Sequence, residues 1–164
     1  MKSIRFIAAA SLVVLTASRA VAADATEKQT ADPWRTDYEA SLATAAGEGR
    51  AVLIDFTGSD WCVWCHRLDN EVFSKQAFLD YARDHLVLVK LDFPRKTKLP
   101  AELEAQNNAL SDKFGVTGYP TILIVDAKGN EIGRLGYMEG GAKTFVRAVK
   151  KAVADAKEAA AKAS

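Results

Sequence analysis

Apolar residues along this chain alternate between short unbroken runs and stripes at helical spacing. Ala51-Val52-Leu53-Ile54-Asp55-Phe56, bounded by Gly49 and Gly58, predicts a strand. Leu86-Val87-Leu88-Val89-Lys90-Leu91-Asp92 is nearly continuous in apolar residues, the pattern of a strand covered on both faces in parallel pairing. Thr121-Ile122-Leu123-Ile124-Val125 predicts a third strand. The loop residues Asp126-Ala127-Lys128-Gly129-Asn130 then lead into a shorter antiparallel one from Glu131 to Leu135.

Helical spacing fills the intervals. Trp34, Tyr38 and Leu42 recur every four residues, predicting a helix capped by Asp32, with Pro33 at its first position and Gly47 and Gly49 at its end. Cys65, Leu68 and Val72 predict a helix over roughly 62–73, with Cys62 in its first turn. Ser74 is expected to cap a further short helix that buries Phe78, Leu79 and Ala82. A helix over 101–114 places Leu103, Leu110 and Phe114 on one side, and Gly115 stops it. The last helix, from about Ala142, turns Phe145, Val149 and Val153 inward and ends in a dozen alanine and charged residues expected to fray. Strands separated by helices imply right-handed crossovers and an α/β sheet with helices on both faces.

The first residues stand outside this pattern. Lys2 and Arg5 form a basic start, Phe6 to Ala17 an apolar stretch, and Ala20-Val21-Ala22 a small-x-small cleavage site. That stretch is 12 residues, against about 20 needed to span a bilayer. It predicts a secretory signal peptide over 1–22, cleaved after Ala22, and a periplasmic or secreted protein without stable membrane insertion. Residues 23–32 read as a flexible lead-in, 33–155 as one domain and 156–164 as an exposed helical tail.

Composition narrows the function. Hydrophobic content of 49% and charged content of 26% are those of a globular domain. The net charge is +1, and cleavage after Ala22 would make it −2; with no long Lys/Arg tract, nucleic acid is not an expected partner. Arg95, Lys96 and Lys98 in the loop from Phe93 to Pro100 read as a solvated connection rather than a docking patch for an acidic partner.

Chemistry concentrates in Trp61-Cys62-Val63-Trp64-Cys65-His66, which holds both cysteines. In an oxidising compartment such a pair can persist as a disulfide. A loop this short gains little from cross-linking, so a purely structural bridge is disfavoured. At the start of a helix, unpaired N–H groups and the dipole favour a thiolate at Cys62. Cys65, on the face of Leu68 and Val72, is expected to be the more buried of the two. The rival chemistry is a copper-binding or delivery site of Cys62, Cys65 and His66. Thiolates suit Cu(I), but two thiols and an adjacent histidine make a poor closed site.

The strand ending Ile54-Asp55-Phe56, the Trp-Cys-x-x-Cys segment after it, and Gly118-Tyr119-Pro120-Thr121 opening a later strand together resemble the thioredoxin superfamily. Within it, Asp60-Trp61-Cys62-Val63 and the long connection after the second strand resemble the exported branch typified by the periplasmic C-terminal domain of the disulfide reductase DsbD. The resemblance implies a thioredoxin fold: a central mixed four-stranded sheet flanked by helices, here with an extra N-terminal helix.

The resemblance further implies a protein-disulfide oxidoreductase whose only redox group is the Cys62–Cys65 disulfide, with no cofactor. Cys62 is the exposed nucleophile, Cys65 the resolving thiol, Asp55 an internal proton acceptor, and Pro120 a cis proline facing the pair. Trp61, Trp64 and Tyr119 are the expected substrate contacts, with Trp61 packed and Trp64 partly exposed. Expected partners are protein thiols and disulfides and an upstream electron donor such as a membrane reductase, the protein itself being a monomer. Val63-Trp64 replaces the family's Gly-Pro and offers the thiolate no charge or donor, while Asp60 stands nearby. A reductant nearer thioredoxin than a strong oxidase is therefore expected.

Overall fold

The computed structural model describes residues 32–162; the expected signal peptide and its cleavage site lie outside the described residues. Five strands form one sheet in the order β1-β3-β2-β4-β5: β1 (Trp34–Arg35), β2 (Ala51–Thr57), β3 (Leu86–Asp92), β4 (Thr121–Val125) and β5 (Glu131–Leu135). The four expected strands are all present, and the two-residue β1 extends the edge beside β3. β2 runs parallel to β3 and antiparallel to β4, and β4–β5 is the antiparallel hairpin.

Period-two alternation splits the strand side chains between two cores. Leu53, Leu88, Ile122 and Ile124 face one cluster with Leu68, Val72, Phe78 and Phe145 from the helices. Val52, Ile54, Phe56, Val89 and Leu123 face the other, with Tyr38, Ala45 and Leu110. The fold is therefore a mixed sheet with helices on both faces, as the sequence pattern requires. Among the described residues no helix is long and apolar enough to cross a membrane.

The helices are α1 (Tyr38–Glu48), α2 (Val63–Leu68), α3 (Gln76–His85), α4 (Ala101–Lys113) and α5 (Gly141–Lys162), and α2 runs on into a π-helical turn at Asp69–Phe73. Several boundaries depart from expectation. α1 begins at Tyr38, not near Pro33, because the Asp37 side chain accepts the Ala40 N–H and makes the better cap. Asp32 instead bonds the Trp34 amide. Trp34 thus leaves the helical stripe for β1 and packs on Phe73 and Phe78, across the sheet from Tyr38. Gly49 closes α1 at φ 65°, a left-handed conformation that suits glycine. Ser74 does not cap α3; it closes the preceding helix, its hydroxyl on the Asn70 carbonyl. α5 continues through Lys162, with Lys151–Asp155 and Lys162–Glu158 pairs along its exposed length.

Candidate active site

β2 delivers the chain to the edge of the sheet at Thr57, where the turn Gly58–Trp61 reverses it into α2. Gly58 O accepts the amides of Trp61 (3.2 Å) and Cys62 (2.9 Å). A Cβ at Gly58 would lie 2.5 Å from Trp61 Cε2, so only glycine lets the indole fold back over the turn. Cys62 is the N-cap of α2 rather than a residue of its first turn, with φ −85° and ψ 100°. Its Sγ accepts the Cys65 N–H at 3.1 Å and is bonded to Cys65 Sγ, with the two Cα atoms 5.2 Å apart.

The expectation of an exposed first cysteine over a buried second one does not hold for this oxidised pair: Cys62 is 4% exposed and Cys65 5%. As the cap, Cys62 is drawn back against the turn by its amide bond to Gly58. Its sulfur is folded onto the Cys65 amide instead of projecting from the helix.

The turn is fastened to the end of β3 and the loop after it. Ser59 donates through its amide (2.8 Å) and its hydroxyl (2.5 Å) to the Asp92 carboxylate, and Trp61 Nε1 donates to Phe93 O (2.8 Å). The Asp60 carboxylate accepts the amides of Arg95 (2.9 Å), Lys96 (2.7 Å) and Thr97 (3.3 Å). Those amides, Arg95's foremost, hold the Asp60 carboxyl below its ordinary pKa. Buried Asn107 secures the end of β3 by donating to Asp92 O at 2.9 Å. The Arg95 guanidinium lies 3.7 Å over the Trp61 ring. Half-buried Trp61 meets Tyr119 edge-on, the centroids 5.6 Å apart. The Tyr119–Pro120 peptide that opens β4 is cis.

Between the cysteines, Val63 is 74% exposed and Trp64 51%. Trp64 rests on Tyr137, with centroids 5.1 Å apart, in the loop that follows β5. Arg67 lies over both rings and bonds Glu71. Sequence reasoning missed this group. The i,i+4 spacing of Arg67 and Glu71 was a usable signal, whereas nothing local placed Tyr137 beside them.

Asp55 is buried within β2, opposite Lys90 of β3 and Ile122 of β4. It alternates with Leu53 and so lies on the face packed by Leu68 and Val72 of the Cys-bearing helix. Burial pushes its pKa up to about 7; Lys90 opposes this, and Asp69 and Asp92 add to it. Its Oδ1 has no hydrogen-bond partner among the described residues.

His66 Nε2 is 2.6 Å from Ser59 O and helps close the turn. His85 sits against Tyr81 on α3. Among the described residues no group of three or more His, Cys, Asp or Glu could hold a metal ion, so the copper reading gains no further ligand for Cys62, Cys65 and His66.

Residues 38–152 match the model of a thioredoxin-like domain family. The disulfide bond reductase DsbH of Chlamydia pneumoniae is 34% identical over 116 residues, which cover 71% of this chain and 70% of that protein. A solved structure of a DsbH oxidoreductase superposes with a TM-score of 0.70 at 34% identity, over 73% of this chain and 82% of that one. The thiol:disulfide interchange protein DsbD of Pseudoalteromonas atlantica is 32% identical over 109 residues; these span 65% of this chain but only 17% of that longer protein.

Proposed function

The chain belongs to the thioredoxin-like domain family, and from that premise we propose that it is an exported reductase of protein disulfides. Its chemistry is that of a thiol–disulfide oxidoreductase with Cys62 and Cys65 as the redox pair. In the reduced protein the Cys62 thiolate attacks one sulfur of a substrate disulfide. That S–S bond breaks, the other substrate sulfur leaves as a thiol after taking a proton, and a mixed disulfide joins Cys62 to the substrate. Cys65 then loses its proton and attacks the Cys62 sulfur. The second substrate thiol leaves, and two electrons have passed from the protein to the substrate.

The observation that carries this reading is the Cys65 N–H aimed at Cys62 Sγ from 3.1 Å at the head of a helix. A donor in that position favours a charged sulfur over a neutral one. Asp55, with its pKa near 7, is suited to take the Cys65 proton at neutral pH. Tyr119 and Pro120 offer backbone, and Trp61 and Trp64 side chains, to the substrate chain. Export, with cleavage after Ala22, would separate the protein from cytoplasmic reductants. Its re-reduction then needs electrons carried across the membrane, and a membrane reductase is the class of donor that fits.

Equilibration with glutathione tests the direction. A potential nearer about −270 mV, as in thioredoxin, than about −120 mV, as in the strong oxidant DsbA, is expected. A value at the oxidising end would make the protein an oxidase.

A further inference from the structure

Val63 and Trp64 are the large apolar side chains that stand exposed among the described residues, and both lie between the cysteines. Trp64 is nevertheless not free to swing. Its ring leans on Tyr137 at 46°, and Arg67 Cζ sits 5.5 Å from the Trp64 centroid and 5.0 Å from that of Tyr137. Both supports converge on one carboxylate: Arg67 Nε donates to Glu71 Oε1 at 2.6 Å, and Tyr137 Oη donates to Glu71 Oε2 at 2.7 Å. Glu71 belongs to the π-helical turn that continues α2, and Tyr137 to the loop after β5, so the carboxylate joins two elements beneath the exposed indole. That loop also borders the cis proline, since a Cβ at Gly136 would lie 3.6 Å from Pro120 O.

A partner joined to Cys62 through a bond of about 2 Å has its neighbouring residues within reach of the exposed side chains at positions 63 and 64. The contact is difficult to avoid, because Cys62 itself exposes only 4% of its surface. An indole already fixed loses little freedom when a side chain packs on it, so the fixing itself adds to affinity. We infer that Glu71 is a positioning residue for Trp64, and that the platform it holds makes the protein select polypeptide disulfides carrying an apolar side chain next to the reacting cysteine. This deepens the reductase reading and rests on it.

The test uses two disulfide-linked peptides that differ only in the residue following cysteine, Leu or Ser, with 2-hydroxyethyl disulfide as a probe lacking any side chain. The wild-type protein should reduce the Leu peptide about tenfold more efficiently, the scale of a modest apolar contact. Glu71→Gln and Tyr137→Phe should each cut that preference to about two- to threefold through a higher KM for the Leu peptide. Their kcat, and their rate on the small disulfide, should stay at the wild-type level. A merely structural loss would lower all three rates together. A wild-type preference near unity, or full preference kept by either variant, overturns the inference while leaving the reductase reading intact. Failure of the wild-type protein to reduce any of the three disulfides would instead overturn the reading itself, and the inference with it.

Discussion

On one flank of the disulfide, Ser59, Asp60 and Trp61 are tied to the last residue of β3 and the loop after it by six hydrogen bonds, most of them to or from backbone groups. On the other, Val63 and Trp64 face solvent, and Trp64 is steadied by ring contacts and the Glu71 carboxylate beneath them. The first flank fixes where the Cys62 sulfur is; the second offers surface to whatever the sulfur meets. Backbone hydrogen bonds suit the first task because they are short and directional. Exposed aromatic surface suits the second because it pairs with many apolar partners at little ordering cost.

Five substitutions would sharpen or break that contrast. The largest effect belongs to the sulfur between the flanks: Cys62→Ser should reduce turnover of a protein disulfide to background. Cys65→Ala should accumulate a covalent mixed disulfide with the substrate, visible by mass spectrometry. The reverse pattern would exchange the roles of the two cysteines.

Next comes Asp55→Asn. With a folded pKa of about 7, above the ordinary carboxyl value, the native state holds a proton that the unfolded chain releases between about pH 4 and 7. Stability is therefore lost as pH rises through that window and stays reduced above it. The variant escapes this loss: it should be about 2–4 kcal/mol more stable than wild type at pH 8 and no more stable near pH 4, read from urea unfolding. Its disulfide reduction should slow, with an altered pH profile near 7. An unchanged profile would remove Asp55 from the proton path.

Gly58→Ala drives a methyl group into the Trp61 indole and should cost about 1–3 kcal/mol, seen as a lower urea midpoint at constant slope. Trp64→Ala, on the open flank, should change stability by less than about 0.5 kcal/mol while raising the KM for a protein disulfide severalfold. If instead Trp64→Ala unfolded the protein and Gly58→Ala were harmless, the division of labour between the flanks would be wrong.

The same division separates what the sequence makes legible from what it conceals. β2, β3 and the β4–β5 hairpin were readable because uninterrupted apolar runs and Asp-x-x-Gly turn chemistry are local signals. The Trp-Cys-x-x-Cys segment likewise announced the redox pair. Trp34 misled because four-residue spacing to Tyr38 and Leu42 is compatible with a helix; only tertiary pairing with β3 places it in a strand. The helical pattern puts Cys62 one position too deep, because the cap depends on how Gly58 turns the chain, which no periodicity encodes. The hydrogen bonds from the 95–97 amides to Asp60 span some 35 residues of sequence, and the Tyr137–Glu71 contact spans 66. Such pairs come into being only when the sheet brings distant loops to one edge.

The account depends on Cys62 being an acidified attacker, and the rate of its alkylation against pH in fully reduced protein tests this most directly. A half-maximal rate clearly below the ordinary thiol value of about 8.5, near the value of about 7 for thioredoxin, is the predicted result. A midpoint at 8.5 or above, with reactivity at neutral pH no greater than that of a free thiol, would contradict it.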